Sequence, residues 1–118
     1  MHELSLCENL IDQLTALTRQ HAALGVSRVV VQVGGLSGVE PQLLATAFEI
    51  ARAGTVAAEA ELITECTPPE VHCSACAADS ATRANDLRCP VCGSEATELI
   101  AGQSLILAQV ELLRPAMP

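Results

Sequence analysis

Apolar residues recur every three or four positions between residues 7 and 24, with polar side chains between them. This spacing predicts an amphipathic helix. Ser5 followed by Glu8 fits a capping box, so we place the start of the helix near residue 5 and its end before Gly25. Residues 1–3 are then expected to form a short free arm or a fraying first turn.

Strand and helix patterns alternate along the next part of the chain. Residues 28–33 are rich in β-branched side chains and alternate, with Val29, Val31 and Val33 on one face, which predicts a strand. Glu40-Pro41 opens a second helix, because proline is tolerated at the first helical position. That helix is expected to end at Gly54.

Two further strands are predicted, on either side of a segment of different composition. Residues 59–65 form the first, with a solvated acidic face, and residues 105–113 form the second, with Ile106, Ala108, Val110 and Leu112 on one side. The order α-β-α-β-insert-β predicts an α+β fold, in which two helices accompany a small mixed sheet. We assign residues 1–67 plus 102–118 to an α/β domain and residues 68–101 to an inserted cysteine-rich module.

Charge and composition narrow the classes of function. The 118 residues carry a net charge of −8 and a single aromatic side chain. This composition argues against nucleic acid, which needs cations for phosphates and aromatic rings for bases, and against anionic membrane surfaces. The sequence contains no signal peptide and no run of about 18 apolar residues, so we expect a cytoplasmic protein.

Four of the six cysteines form two C-x2-C pairs, Cys73 with Cys76 and Cys89 with Cys92. In a reducing compartment they are more typical of metal ligands than of disulfides. Four thiolates can surround one ion at tetrahedral geometry, which predicts a structural zinc site in a zinc-ribbon module. The sequence alone leaves iron open. Two redox-active C-x-x-C pairs are the alternative interpretation.

The remaining cysteines and histidines have simpler interpretations. Cys7 and Cys66 lie in apolar patterns and are expected to be core thiols. We interpret His21 as a packing or helix-end residue and His72 as a solvent-exposed one. No catalytic triad, phosphate-binding glycine loop or open metal position is evident in the sequence, so we expect no enzyme activity.

Several motifs together resemble the HypA/HybF family, the nickel-incorporation proteins of hydrogenase maturation. They are Met1-His2-Glu3-Leu4-Ser5, the segment Gly34-Gly35-Leu36-Ser37-Gly38-Val39-Glu40-Pro41, Ala47-Phe48-Glu49, Gly54-Thr55 and the paired C-x2-C motifs. The resemblance covers essentially the whole chain. It implies that His2, with Glu3 adjacent, binds nickel and that the four paired cysteines hold zinc. It also implies two partners, a HypB-type GTPase and the large subunit of [NiFe]-hydrogenase.

The chemistry of the first three residues agrees with a nickel site. The α-amine of Met1, the backbone nitrogen of His2 and its imidazole can close fused chelate rings around one ion, and Glu3 can supply a fourth ligand. Nitrogen-rich, near-planar donor sets suit Ni(II) and Cu(II). Because an α-amine titrates near about pH 8 and an imidazole near about pH 6.5, acidification should weaken binding.

The leading interpretation is a non-enzymatic nickel metallochaperone with a structural zinc site. A zinc-ribbon adaptor with no nickel role and a C-x-x-C oxidoreductase are the alternatives. The sequence leaves open whether the protein is a monomer or a homodimer. A module inserted between two strands would also permit exchange of the last strand between copies.

Overall fold

The computed structural model describes residues 2–115, without the side chain of His2. Within these residues the chain forms two helices and six strands. In chain order they are α1 (His2–Gln20), β1 (Gly25–Gly34), α2 (Pro41–Ala51), β2 (Glu61–Thr67), β3 (Glu70–Cys73), β4 (Asp79–Ala81), β5 (Thr97–Ala101) and β6 (Leu105–Leu113). The predicted order α-β-α-β-insert-β and the α+β class are confirmed.

The chain divides into two compact units. The first comprises the residues up to Val31, Val39–Thr64 and the residues from Leu107 onward, and the second comprises Gln32–Gly38 and Glu65–Ile106. The sheet β2-β1-β6 and the sheet β4-β3-β5 each have three strands. The division into an α/β domain and a separate zinc-ribbon module stays a prediction. None of the helices described is long and apolar enough to cross a membrane.

Helix α1 begins at His2, so the predicted start near residue 5 is wrong. Leu4 is half-buried and Cys7 and Ile11 are buried, which extends the apolar stripe one turn towards the N-terminus of the helix. Ser5 therefore lies inside the helix rather than at its cap. His2 and Glu3 belong to the first turn and do not form a free arm; Met1 lies outside the described residues.

The two helices pack through a small apolar core in the first unit. Cys7, Leu14, Leu44 and Phe48 are fully buried, which confirms Cys7 as a core thiol. The Cys7 thiol donates to the Leu44 carbonyl oxygen at 3.5 Å. The start of α2 follows the sequence prediction, since Glu40 is its N-cap and the first helical residue is a proline.

Strand β1 is central in its sheet and is buried on both faces. Val29, Val31 and Val33, which the alternation places on one face, are buried, and Val26 and Val30 on the opposite face are buried as well. A strand whose two faces are both covered has a nearly continuous run of apolar residues in its sequence. Strand β1 therefore supplies five of the buried apolar side chains.

The sheet β2-β1-β6 is mixed. The Gly35 N–H donates to the Thr67 carbonyl at 2.8 Å, so β1 and β2 end together and run parallel. The Leu24 N–H donates to the Leu113 carbonyl at 2.7 Å, so the start of β1 meets the end of β6 and these strands run antiparallel.

The apolar side chains of β6, which the sequence places on one side of the strand, are not buried along its whole length. Ile106 and Ala108 are exposed, whereas Val110 and Leu112 are half-buried. Ala108 and Gln109 are both exposed, so the alternation of half-buried and exposed residues shifts by one position in the middle of the strand. Sequence alternation alone does not reveal such a shift.

The other outer strand, β2, also differs from its prediction. It runs from Glu61 to Thr67 rather than from residue 59 to residue 65. Glu61 and Glu65 are exposed, in agreement with a solvated acidic face. Cys66 is exposed too, so its interpretation as a core thiol is wrong. The strand lies at the edge of the sheet, where few neighbours cover its side chains.

Close backbone contacts shape the second unit. A Cβ atom on Gly34 would lie 2.4 Å from the Gly102 carbonyl oxygen, and one on Gly102 would lie 2.5 Å from the Pro69 Cα. Gly102 also has a φ of 94°, a left-handed conformation that favours glycine. Only glycine fits these two positions without displacement of the backbone.

Candidate metal centre

The first cysteine pair lies in a turn that follows β3. The Cys73 N–H donates to the Ala78 carbonyl at 2.9 Å, and the Ala77 N–H donates to the Cys73 carbonyl at 2.8 Å. Ala77 has a φ of 62°. The turn therefore brings Cys73 and Cys76 close together and holds Ala77 in the left-handed conformation.

The second cysteine pair lies in a turn of the same design. The Cys89 N–H donates to the Ser94 carbonyl at 2.9 Å, and the Gly93 N–H donates to the Cys89 carbonyl at 2.8 Å. Gly93 has a φ of 77° and occupies the place that Ala77 occupies in the first turn. The turn after Cys92 thus has the glycine that the geometry favours, whereas the turn after Cys76 does not.

The four sulfur atoms converge. All of them lie within 4.8 Å of one another, and they form the candidate metal-ligand group found among the residues described. The Cys73 and Cys92 sulfurs are 3.6 Å apart, as are those of Cys76 and Cys89. A disulfide would need about 2.05 Å. Tetrahedral Zn–S bonds of about 2.3 Å imply sulfur separations near 3.8 Å, so this donor set fits a four-coordinate ion such as zinc.

Backbone N–H groups favour the metal-binding thiolate at the first cysteine of each pair. Cys73 and Cys89 are buried, while Cys76 and Cys92 are exposed. The Cys76 N–H, with that of Ala75, lowers the pKa of Cys73, and the Cys92 N–H lowers the pKa of Cys89 to about 7. A cation is the ordinary means of holding several thiolates this close together.

The pKa of the second cysteine of each pair is raised instead. The Ala78 N–H lowers the pKa of Cys76, but the neighbouring sulfurs, led by that of Cys89, raise it to about 12. The pKa of Cys92 is also raised: the Ser94 N–H lowers it, but the Cys73 sulfur, burial and the Cys89 sulfur together raise it by more. The raised pKa values of Cys76 and Cys92 favour the protonated thiols at neutral pH, so we expect metal binding to release protons.

The small sheet β4-β3-β5 supports the two turns. Strand β3 lies in the middle and pairs antiparallel with both neighbours, so Val71 lies opposite Ser80 and opposite Leu99. The Ser74 N–H donates to the Ala96 carbonyl at 2.9 Å, and the Thr97 hydroxyl donates to the Leu87 carbonyl at 2.8 Å. Sequence analysis missed these three strands because they are short and carry no long apolar alternation.

The histidines beside the predicted sites do not join the sulfur cluster. His72 is partly exposed, and its Nδ1 lies 2.6 Å from a carboxylate oxygen of Asp79. His21 is exposed in the turn after α1, and its carbonyl accepts a hydrogen bond from Arg114 at 3.2 Å. These positions agree with the expected exposure of His72 and with His21 as a helix-end residue.

The comparison with protein families matches nearly the entire chain. The family described as "Hydrogenase/urease nickel incorporation, metallochaperone, hypA" matches residues 1–112. The chain belongs to the HypA family. It is 41% identical over 112 residues to the hydrogenase maturation factor HypA of Aquifex aeolicus, with 95% of this chain and 97% of that protein covered. To the HypA of Nitrosospira multiformis it is 42% identical over 113 residues, with 96% and 98% covered.

Solved structures of HypA proteins are similar as well. The solution structure of the Ni metallochaperone HypA from Helicobacter pylori has a TM-score of 0.72 and 27% identity, and the similarity covers 96% of this chain and 98% of that one. A second solution structure of a HypA protein has a TM-score of 0.75 and 28% identity, with 98% of both chains covered. The resemblance predicted from the motifs is confirmed. The family comprises nickel metallochaperones of hydrogenase maturation.

Two of the three residues predicted to bind nickel, His2 and Glu3, lie at the N-terminal end of α1. The backbone of His2 and all of Glu3 belong to the first turn of this helix, and Glu3 is half-buried. Met1 and the side chain of His2 lie outside the described residues. The nickel-ligand set expected for HypA proteins therefore stays a prediction for this chain, as does the assignment of zinc to the four cysteines.

Proposed function

We propose that this chain is a nickel metallochaperone that binds Ni(II) at Met1-His2-Glu3 and delivers it during the maturation of [NiFe]-hydrogenase. In this proposal Cys73, Cys76, Cys89 and Cys92 hold a structural Zn(II). The observation that carries the proposal is the family match, which extends from residue 1 to residue 112 and so includes both sets of ligands.

The sulfur cluster supports the zinc part of the proposal. Four thiolates at near-tetrahedral separations are the usual donors of structural zinc sites. Because all four coordination positions are taken by sulfur, the ion would have no open position at which to activate water. The proposed role of this ion is therefore structural, and the chain is proposed to have no catalytic activity.

The start of α1 supports the nickel part. The first N–H groups of a helix have no carbonyl partner within it, so the backbone nitrogens of His2 and Glu3 are not committed to the helix ladder. Leu4 and Cys7 pack against the rest of the first unit and anchor the turn from which these nitrogens extend. A site at a helix end is open to a partner, as a delivery protein requires.

Nickel is the cargo in this proposal, and the partners are the proteins that load or receive it. We propose a HypB-type GTPase and the large subunit of [NiFe]-hydrogenase, as the family resemblance implies. Neither nucleic acid nor membrane is proposed as a partner, since the net charge is −8 and there is no lysine in the chain.

The test is calorimetric titration of nickel into the zinc-loaded protein with its native N-terminus. His2→Ala, and separately a Gly-Ser extension before Met1, should abolish tight nickel binding while the zinc content stays at one ion per chain by native mass spectrometry. His21→Ala is the matched control, because it removes an exposed imidazole outside the proposed site and should leave nickel binding unchanged.

Two results would contradict the proposal. Tight nickel binding by the His2→Ala protein would show that the nickel ligands lie elsewhere. A native protein that binds zinc but no nickel would instead favour the zinc-ribbon adaptor.

A further inference from the structure

An apolar groove lies between the start of α1 and the exposed side of α2. It has a volume of about 200 Å³. Its lining residues are Glu3, Leu4, Leu43, Thr46, Ala47 and Ile50. All of them belong to the first unit. The metal centre of the second unit does not account for this groove.

The α2 wall of the groove is unusually apolar for a helix surface. Leu43 is 56% exposed and Ile50 is 68% exposed. They are seven residues apart and so lie on the same face, whereas Leu44 and Phe48 point into the core. Polar residues are typical of the outer face of a packed helix, and clustered exposed aliphatic side chains mark interaction sites.

The charge around the groove is acidic. Glu3 is the charged residue of the lining. Glu8 and Asp12 are exposed further along α1, and the first basic residue of the chain is Arg19. A partner with Lys or Arg beside its apolar contacts would meet complementary charge here.

The nearest basic group on α2 does not neutralise this rim. Arg52 donates to the Ala60 carbonyl at 2.7 Å and pairs with Glu49 at 2.8 Å. Its guanidinium is thus held at the C-terminal end of α2 by partners of its own. Neither of these partners lines the groove, so Arg52 is not paired with Glu3, the charged residue of the lining.

We propose that this groove docks a segment of a partner protein that presents one or two aliphatic side chains flanked by Lys or Arg. The volume suits that number of side chains. Glu3 is adjacent to His2 in the chain, so the docked segment would lie beside the nickel site. This last point rests on the proposed function, whereas the docking itself does not.

A second copy of this chain is a poor occupant of the groove. A two-fold contact would bring two copies of Glu3 together, along with two chains of net charge −8. Like charges at an interface oppose association. The charge therefore favours a basic partner over self-association.

The test uses a synthetic 14-residue amphipathic helix with leucine on one face and lysine on the other, titrated into the ¹⁵N-labelled full chain. We expect the largest amide shifts at residues 3–8 and 42–51. Leu43→Ser combined with Ile50→Ser should weaken binding about ten-fold or more, because burial of two methylene groups already corresponds to about that factor and the two substitutions remove more apolar atoms than that. Leu24→Ser is the matched control, because Leu24 is 71% exposed outside the groove; it should bind the peptide as the parent does.

Peptide controls separate docking from general stickiness. Replacing lysine by glutamate in the peptide should weaken binding at least as much as the groove variant does, and replacing its leucines by serine should remove the shifts. The proposal is overturned if the shifts lie outside α1 and α2, if the acidic peptide binds equally well, or if Leu24→Ser weakens binding as much as the groove variant. It is also overturned if light scattering reveals a dimer that the groove variant abolishes.

Nickel titration of the groove variant keeps the two proposals distinguishable. If Leu43→Ser with Ile50→Ser still binds nickel but not the peptide, docking is supported and the nickel site is untouched. If the peptide docks while His2→Ala still binds nickel as tightly as the parent, the proposed nickel site fails and the docking surface stands.

Discussion

Replacing Cys89 with serine removes one of the two buried sulfurs of the cluster. That sulfur accepts hydrogen bonds from the backbone N–H groups of Cys92 and Val91, which lower the pKa of Cys89 to about 7 and favour the thiolate. A serine hydroxyl is not ionised at neutral pH and is a poor ligand for zinc. We therefore expect Cys89→Ser to lose the bound metal ion.

The segment that contains β3, β4 and β5 has few buried side chains, so its stability depends on the metal ion. Between Glu70 and Ala101, the buried hydrophobic side chains are those of Val71, Cys73 and Cys89. Burial of one valine contributes about 2 kcal/mol, whereas binding of a structural zinc supplies on the order of 10 kcal/mol of folding free energy. The metal term is the larger, so loss of the ion should unfold β3, β4 and β5.

Amide hydrogen exchange followed by NMR measures this directly. In the Cys89→Ser protein the amides of residues 70–101 should lose their protection, while those of α1 and β1 should retain theirs, because Leu14, Val29 and Phe48 are buried in the first unit. Cys66→Ser is the matched control, since Cys66 is exposed and outside the cluster. Retained protection across residues 70–101 in a variant without metal would refute the reasoning.

Three further predictions concern stability. Ala77→Gly should stabilise the metal-loaded protein by about 1 kcal/mol and Gly93→Ala should destabilise it by a similar amount, because both residues are left-handed; urea midpoints that shift in the same direction would contradict this. Gly34→Ala should cost about 2 kcal/mol or more, because its Cβ would lie 2.4 Å from the Gly102 carbonyl oxygen; an unchanged thermal midpoint would show that the backbone yields freely. Burial raises the pKa of the Cys7 thiol from 9.0 to about 11, so the folded state keeps a proton that the unfolded chain loses, and stability should fall as pH rises across that interval. Cys7→Ala should flatten this fall in urea titrations at several pH values, and an equally steep fall would refute the assignment.

Local chemistry was enough to predict several features from the sequence alone. Glu40 and the proline after it specify a helix start through a cap and a fixed φ, and both act within a few residues. The two C-x2-C pairs likewise predicted a common four-sulfur site, because each pair needs only a short turn to aim its sulfurs together. The order of the two helices and of strands β1, β2 and β6 could also be predicted, since it follows from periodicity within each segment.

Other features depended on which segments became neighbours. Helix α1 extends beyond Ser5 towards the N-terminus because Leu4, one turn before the buried Cys7, is itself half-buried, and the Ser5 cap signal could not compete with that burial. Cys66 is exposed because β2 became an edge strand, although its local pattern is apolar. Ala77 takes a left-handed conformation that its residue type disfavours, because the turn that aims Cys73 and Cys76 requires it.

The sequence by itself determined the order of the two helices and the three longer strands, the four converging sulfurs and the motifs that assign the family, because each depends on spacing along the chain. The tertiary structure alone decided the true start of α1, the sheet that supports the metal centre and the groove beside Glu3 and Ile50. Those features arise where residues distant in sequence pack together, and burial at such contacts outweighs the weaker preferences of single residues.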